Sequence, residues 1–310
     1  MKNIKNGIRN FFSFVEITTK IASLIPFLVG LAYAFYLTGG VNIIGTLVFF
    51  AAGFLFDMST TAINMYFDRK EAGIPGHYGK AASLTVIFGF IITAGALGLL
   101  LVYWHGLQVL IAGGACFMAG IFYTYGPAPI SKSPYGEIVS GIIQGFVLTF
   151  IVVAINGAPP MVSFLFGVSS YYDLNIGVNI TALAKLFLVS FPMVGGIANI
   201  MLANNICDLE RDRNTRYTLP RHIGVKNALK LFAAVDYAIY LSIAAACVLR
   251  IIPWICLLVL LTFFIVRHNI KLFSAKQSKS ETFPLAIKSF VLICAPLAVC
   301  IFIGGLIKFI

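Results

Sequence analysis

Apolar residues run along this chain in long blocks separated by polar connections. Nine blocks stand out, at 14–36, 42–66, 82–103, 106–125, 136–156, 183–206, 227–249, 251–267 and 287–307. A helix crossing a bilayer needs about 20 mostly apolar residues, and 251–267 is the shortest candidate. No block reads as the alternating strands of a transmembrane barrel. The pattern predicts an all-α integral membrane bundle of about nine helices, each satisfying its own backbone hydrogen bonds. We expect one membrane-embedded domain over residues 1–310.

Composition agrees with the pattern. Hydrophobic residues make up 60% of the chain, against roughly 45–50% in a soluble domain, and the mean hydropathy is +0.95. The net charge of +11 changes the picture only through its placement. With the N-terminus in the cytoplasm, eighteen of the twenty-two Lys and Arg fall on the cytoplasmic side. The other face holds Lys185, Arg250 and Lys308, and Lys20 lies inside the first span. This asymmetry predicts a multi-pass protein of the cell membrane, embedded in the lipid bilayer, with its C-terminus outside. Topology thus explains the basic balance, and nucleic acid is not an expected partner. The six cysteines are scattered and show no metal-ligand or disulfide spacing. The basic first residues lead into a full-length span, so no cleavable signal peptide is expected.

The connections are unequal. On the outer side most are a few residues, except 157–181. On the inner side they are longer, at 67–81, 126–135, 207–226 and 268–286. Long loops tend to carry function, which directs attention inward. The 268–286 connection reads as a basic tether to anionic lipid.

Two of the inner connections share a motif. Span two ends in AINMYFDRKEAG (62–73) and span six in LANNICDLERDR (202–213). Each has Asn followed four residues later by Asp: Asn64 and Asp68, then Asn204 and Asp208. Residues four apart share a helix face, so Asn204, Asp208 and Asp212 form one oxygen-bearing stripe. Asn64 and Asp68 form another, which Asp57 and Thr61 extend into the membrane. Asp57 at that depth requires a polar partner. Such oxygens suit Mg²⁺, which commonly bridges carboxylates to substrate phosphates. Lys70, Arg211, Arg213 and Arg216 are placed to neutralise phosphate oxygens. The competing reading is a pair of solvated helix ends, and the recurrence of the motif at equivalent ends of two spans argues against it.

The two motifs, with TLP at 218–220, resemble those of the UbiA-type membrane prenyltransferases. The segment YTYGPAPISKSPYGEIVSG (123–141) is similar to that of the branch acting on 1,4-dihydroxy-2-naphthoate on the way to menaquinone. VEITTKIASLIPFLVG (15–30) is similar to the family's first span, where Lys20 matches a basic residue near the active site. The resemblance implies a helix bundle around a central cavity open to the cytoplasmic face. It implies Mg²⁺ as cofactor, with polyprenyl diphosphate and an aromatic acid as substrates. It assigns catalytic weight to Asp68, Asp208 and Asp212, and metal ligation to these with Asn64 and Asn204. The positions where a further acid is expected hold Ala72 or Ile74, so Glu71 is the candidate substitute ligand. Met65 and Cys207 also depart from the family pattern. Tyr123 is a candidate contact of the diphosphate, and Lys132 of the acceptor carboxylate.

The implied reaction moves the polyprenyl group onto dihydroxynaphthoate, giving demethylmenaquinone in its reduced, quinol form, with CO₂ and diphosphate. Three other readings stay open: a prenyltransferase for another acceptor such as 4-hydroxybenzoate, an inactive relative, and a multi-span transporter. The last also fits many spans, intramembrane acids and related halves.

Overall fold

The computed structural model describes residues 10–71, 73, 78–159, 161–168, 172–213 and 215–310. Among these, nine helices are long and apolar enough to cross a membrane. They are α1 (Ile21–Thr38), α2 (Ile43–Glu71), α3 (Lys80–His105), α4 (Leu107–Thr124), α5 (Gly136–Ile155), α6 (Ile180–Cys207), α7 (Val225–Val248), α8 (Trp254–Ala275) and α9 (Phe283–Phe309).

Three features differ from the hydropathy reading. The first block does not begin as one helix. The chain turns at Glu16, in the left-handed region at φ 44°, and a 3-10 turn over Ile17–Lys20 precedes α1. The eighth block is longer than its apolar run, because α8 opens as 3-10 helix over Trp254–Thr262 and continues to Ala275. The expected 268–286 loop shrinks accordingly to 276–282. The third difference lies at the far end of the bundle. Residues expected as loop form an antiparallel hairpin of β1 (Val162–Val168) and β2 (Tyr172–Val178), with Val162 opposite Val178 and Val168 opposite Tyr172. The fold is all-α with this hairpin appended.

Helix α6 is the most enclosed, with 61% of its apolar window buried, against 11% for α4 and 17% for α3. It packs on α5, α7 and α9, and α1 packs on α5 and α9. Their side chains form one continuous core that includes Val29, Ile151, Met193, Ile197, Ile243 and Ile293. The α5–α6 approach is close because Gly141 and Gly145 sit four apart on the facing side. A Cβ on either would come within 2.5 Å of the Val194 backbone. This is the small-residue packing by which membrane helices approach one another. Helix α5 takes π form over Gly141–Val147, so the contact coincides with a widened turn. Helix α6 stays helical through Pro192, Gly195 and Gly196.

Helix α2 packs chiefly on α3 and meets the main core through partly buried Val48 and Phe49. A smaller cluster ties it to the N-terminal segment, with Phe14 and Val15 against Met58, Ala62, Ile63 and Ile87. Between this outer pair and α1, α4 and α5 lies a cavity of about 620 Å³.

Candidate functional site

The ends of α2, α4, α6 and α8, and the starts of α1, α3, α5, α7 and α9, share one end of the bundle. The two Asn-x-x-x-Asp motifs therefore lie at the same end, opposite the hairpin.

At the second motif the helical turn persists past the end of α6. The Asp208 amide donates to the Asn204 carbonyl at 3.0 Å, the Asp212 amide to the Asp208 carbonyl at 2.8 Å, and the Arg216 amide to the Asp212 carbonyl at 3.0 Å. This continuation keeps Asn204, Asp208 and Asp212 in one register. Asp208 is buried, and its Oδ2 is 2.6 Å from Lys279 Nζ and 3.1 Å from Arg211 Nη2. Lys279 Nζ also donates to Asn204 Oδ1. Asp212 is flanked by Arg211 Nε at 3.2 Å and Arg216 Nε at 3.6 Å. The acids and bases are thus interleaved. Lys279 has a partner that the lipid-tether expectation for its connection did not include. It points at the motif, and Lys276 is engaged by Glu281 at 2.6 Å.

Neighbouring segments brace this end. The Tyr217 amide donates to the Lys132 carbonyl at 2.9 Å, which fastens the 126–135 connection to the one carrying the motif. Arg221 donates to the carbonyls of Arg213 and Arg216. Asn205, the neighbour of the motif's Asn204, donates to buried Glu137 Oε1 at 2.9 Å. Tyr123 is hydrogen-bonded with Ser140 and lies beside Glu137 and Arg216. Sequence reasoning missed Glu137, Asn205 and Lys279. Glu137 alone carried a signal, as an acid opening an apolar span.

At the first motif Asn64 lies on the last part of α2, with Lys70 exposed beyond it. The side chains of Asp68 and Glu71, both expected ligands, lie outside the described residues. Asn64 Oδ1 is buried and has no hydrogen-bond partner among the described residues. A buried amide oxygen without a donor is uncommon, and a hard cation is one partner it fits. The oxygen-rich donor set of Asn64, Asn204, Asp208 and Asp212 matches Mg²⁺ in type. No group of three His, Cys, Asp or Glu among the described residues makes a metal cluster alone. That is compatible with Mg²⁺, which retains waters and takes substrate oxygens.

Lys20 sits deeper. It is buried, and its Nζ is 3.0 Å from both Asp57 Oδ1 and the Asp57 carbonyl, with Thr61 Oγ1 as a further acceptor. Ser23 donates to Asp57 Oδ2. Asp57 thus has the polar partner that its depth requires. Seven residues separate Asp57 from Asn64, about 10 Å along the helix. Lys20, Ser23, Asp57, Thr60 and Gln144 contribute polar groups to the lining of the cavity, whose remaining walls are apolar, with Phe27, Phe49 and Phe117 among them.

A sequence model of the UbiA prenyltransferase family matches residues 23–293. The 1,4-dihydroxy-2-naphthoate octaprenyltransferase of Bacillus subtilis (strain 168) is 27% identical over 232 residues, covering 70% of this chain. The match spans 66% of that relative, just under two thirds of its length. Two solved structures share the fold over 96% of this chain. A digeranylgeranylglyceryl phosphate synthase aligns with TM-score 0.66, 17% identity and 98% of its own length. A UbiA homologue from Archaeoglobus fulgidus bound to GPP and Mg²⁺ aligns with TM-score 0.62, 13% identity and 99% of its own length.

Proposed function

The chain belongs to the UbiA prenyltransferase family, and from that premise we propose that it transfers a polyprenyl group from polyprenyl diphosphate to 1,4-dihydroxy-2-naphthoate, with Mg²⁺ as cofactor. The observation that carries this reading is the arrangement along α2. A motif of hard oxygens lies at the helix end, and an apolar cavity of about 620 Å³ begins near Asp57, two turns deeper. A substrate with a diphosphate head and a hydrocarbon tail needs both. The acceptor assignment is supported by the Bacillus subtilis relative and by the 123–141 segment.

Bound Mg²⁺ would supply electrophilic stabilisation of the departing diphosphate. Asn64, Asp68, Asn204, Asp208 and Asp212 would hold it, with Glu71 as an additional oxygen ligand. Lys70, Arg211, Arg213 and Arg216 take phosphate oxygens, so positive charge faces the negative charge that develops as the bond breaks. Heterolysis of the allylic C–O bond leaves diphosphate and an allylic cation. The ring carbon bearing the carboxylate attacks it, forming the C–C bond, and the carboxylate departs as CO₂. The cavity walls exclude water that would capture the cation. Tyr123, beside Arg216, would contact the diphosphate, and Lys132 would receive the acceptor carboxylate.

The test is one assay: purified protein, Mg²⁺, a polyprenyl diphosphate and a panel of aromatic acids, read by mass spectrometry. The expected product is the prenylated naphthol ring that has lost CO₂. Prenylation of 4-hydroxybenzoate in its place would overturn the acceptor. Folded protein that yields no prenylated product from any member of the panel would overturn the reaction.

A further inference from the structure

We propose that Lys279 is a built-in counter-ion that occupies the metal-binding face of the second motif until substrate arrives. This inference rests on reading Asn204 and Asp208 as metal ligands. Lys279 Nζ donates to Asn204 Oδ1 and lies 2.6 Å from Asp208 Oδ2, so one ammonium engages two of the motif's three oxygen-bearing side chains. It comes from a different part of the chain, 71 residues from Asp208 in sequence.

The connection is built to present it. Thr282 Oγ1 accepts from the Ser278 amide at 2.9 Å and donates to the Lys276 carbonyl at 2.8 Å. The Thr282 and Phe283 amides close the same turn on the Ser278 carbonyl at 3.0 and 2.9 Å. The backbone on both sides of Lys279 is therefore fixed. The ammonium itself sits 4.8 Å from the centroid of the Phe283 ring. Its side chain is 44% exposed, so the head has room to leave the carboxylate while its anchor stays in place.

Charge counting gives the consequence. Asp208 and Asp212 face Lys279, Arg211 and Arg216. A divalent cation arriving alone must displace the ammonium from Asp208 into a site already rich in positive charge. A diphosphate supplies the anionic oxygens that the displaced lysine then takes. The motif accordingly binds metal weakly by itself and well together with diphosphate. Lys279 enforces that coupling.

The experiment measures metal binding without turnover. Full-length protein in detergent is titrated with Mn²⁺, a hard octahedral stand-in for Mg²⁺, and free Mn²⁺ is read by electron paramagnetic resonance. Removing the competing ammonium in Lys279→Met should tighten Mn²⁺ binding about tenfold, roughly one charge-assisted hydrogen bond to be displaced. Lys279→Arg should retain the wild-type affinity. Lys276→Met, in the same connection and with its ammonium on exposed Glu281, should stay within about twofold, as expected for an exposed ion pair. Unchanged affinity in Lys279→Met, with Asp208→Asn having lost Mn²⁺, would overturn the counter-ion role and leave the metal site intact. Unchanged affinity in Asp208→Asn would overturn the metal reading itself, and the counter-ion role with it.

Discussion

Replacing Lys20 by Met should destabilise the protein through the charge it leaves behind, more than through the contact it removes. Lys20 is 6% exposed, and Asp57 retains 23% exposure of its side chain at the cavity edge. The ammonium holds Asp57 Oδ1 at 3.0 Å, the Asp57 carbonyl at 3.0 Å and the Thr61 hydroxyl. Met fills a similar volume but donates nothing. Breaking a fully buried pair costs about 3–5 kcal/mol, because the remaining charge is stranded. Asp57 keeps the Ser23 hydroxyl and some access to the cavity, so we expect about 2–3 kcal/mol, below that range. Asp57→Asn in the Lys20→Met background removes the stranded charge and should recover most of the loss.

The assay is equilibrium unfolding in mixed micelles for the wild type, both single variants and the double variant. The expected coupling is about 2 kcal/mol, well above the roughly 0.3–0.5 kcal/mol within which independent sites add. Additive effects would refute the account, as would a Lys20→Met variant as stable as the wild type. Either outcome would mean that Asp57 is satisfied by water from the cavity and that Lys20 is a bystander.

Further outcomes follow from the site. Asp208→Asn and Asp212→Asn should each lower turnover by at least about a hundredfold, the scale for losing transition-state charge stabilisation, while the unfolding midpoint stays close to wild type; mass-spectrometric product assay and thermal scanning check both. Glu71→Gln should raise the Mg²⁺ concentration needed for half-maximal rate, whereas Glu281→Gln, whose residue pairs with Lys276 on the surface, should not; identical Mg²⁺ curves would remove Glu71 from the ligand set. Gly113 lines the cavity, and a Cβ there would meet nothing within 4 Å. Gly113→Phe should therefore fold, and should raise KM for long-chain diphosphates more than for short ones, as a donor series would show.

The spans were legible because hydropathy is additive over about twenty residues, and no tertiary contact is needed to read it. The second motif was legible for the opposite reason. Charge is scarce in this chain, so Asp208, Arg211, Asp212 and Arg216 stand out wherever they sit. The requirement that Asp57 have a partner was also readable, from the cost of an ion at depth. Less was visible where the outcome depends on which helix faces which. Lys279 is one of several lysines in a basic connection, and it reaches Asp208 because α9 packs on α6. The hairpin carried a local signal, since Val, Phe and Tyr are enriched in 162–178 and favour pleated backbone. Against nine apolar blocks, so short a stretch of such residues reads as loop.

The family resemblance implied a cavity, but the residues read by themselves did not show it, because its cause is what the side chains lack. Gly95 and Gly98 on α3, and Gly113, Gly114 and Gly120 on α4, all contribute to its lining. A Cβ on Gly98, Gly113 or Gly114 would meet no atom within 4 Å. Glycine costs a helix about 1 kcal/mol relative to Ala in water, yet it is common in membrane helices, where it usually serves to bring backbones together. Gly141 and Gly145 serve that purpose against Val194. Gly98, Gly113 and Gly114 do the reverse: they leave space that no neighbour fills. A composition scan counts the two kinds alike. They separate only when each is asked what a methyl group would touch, and that question sets Gly141 and Gly145, which close the α5–α6 seam, apart from Gly98, Gly113 and Gly114, which keep a hydrocarbon-sized volume open.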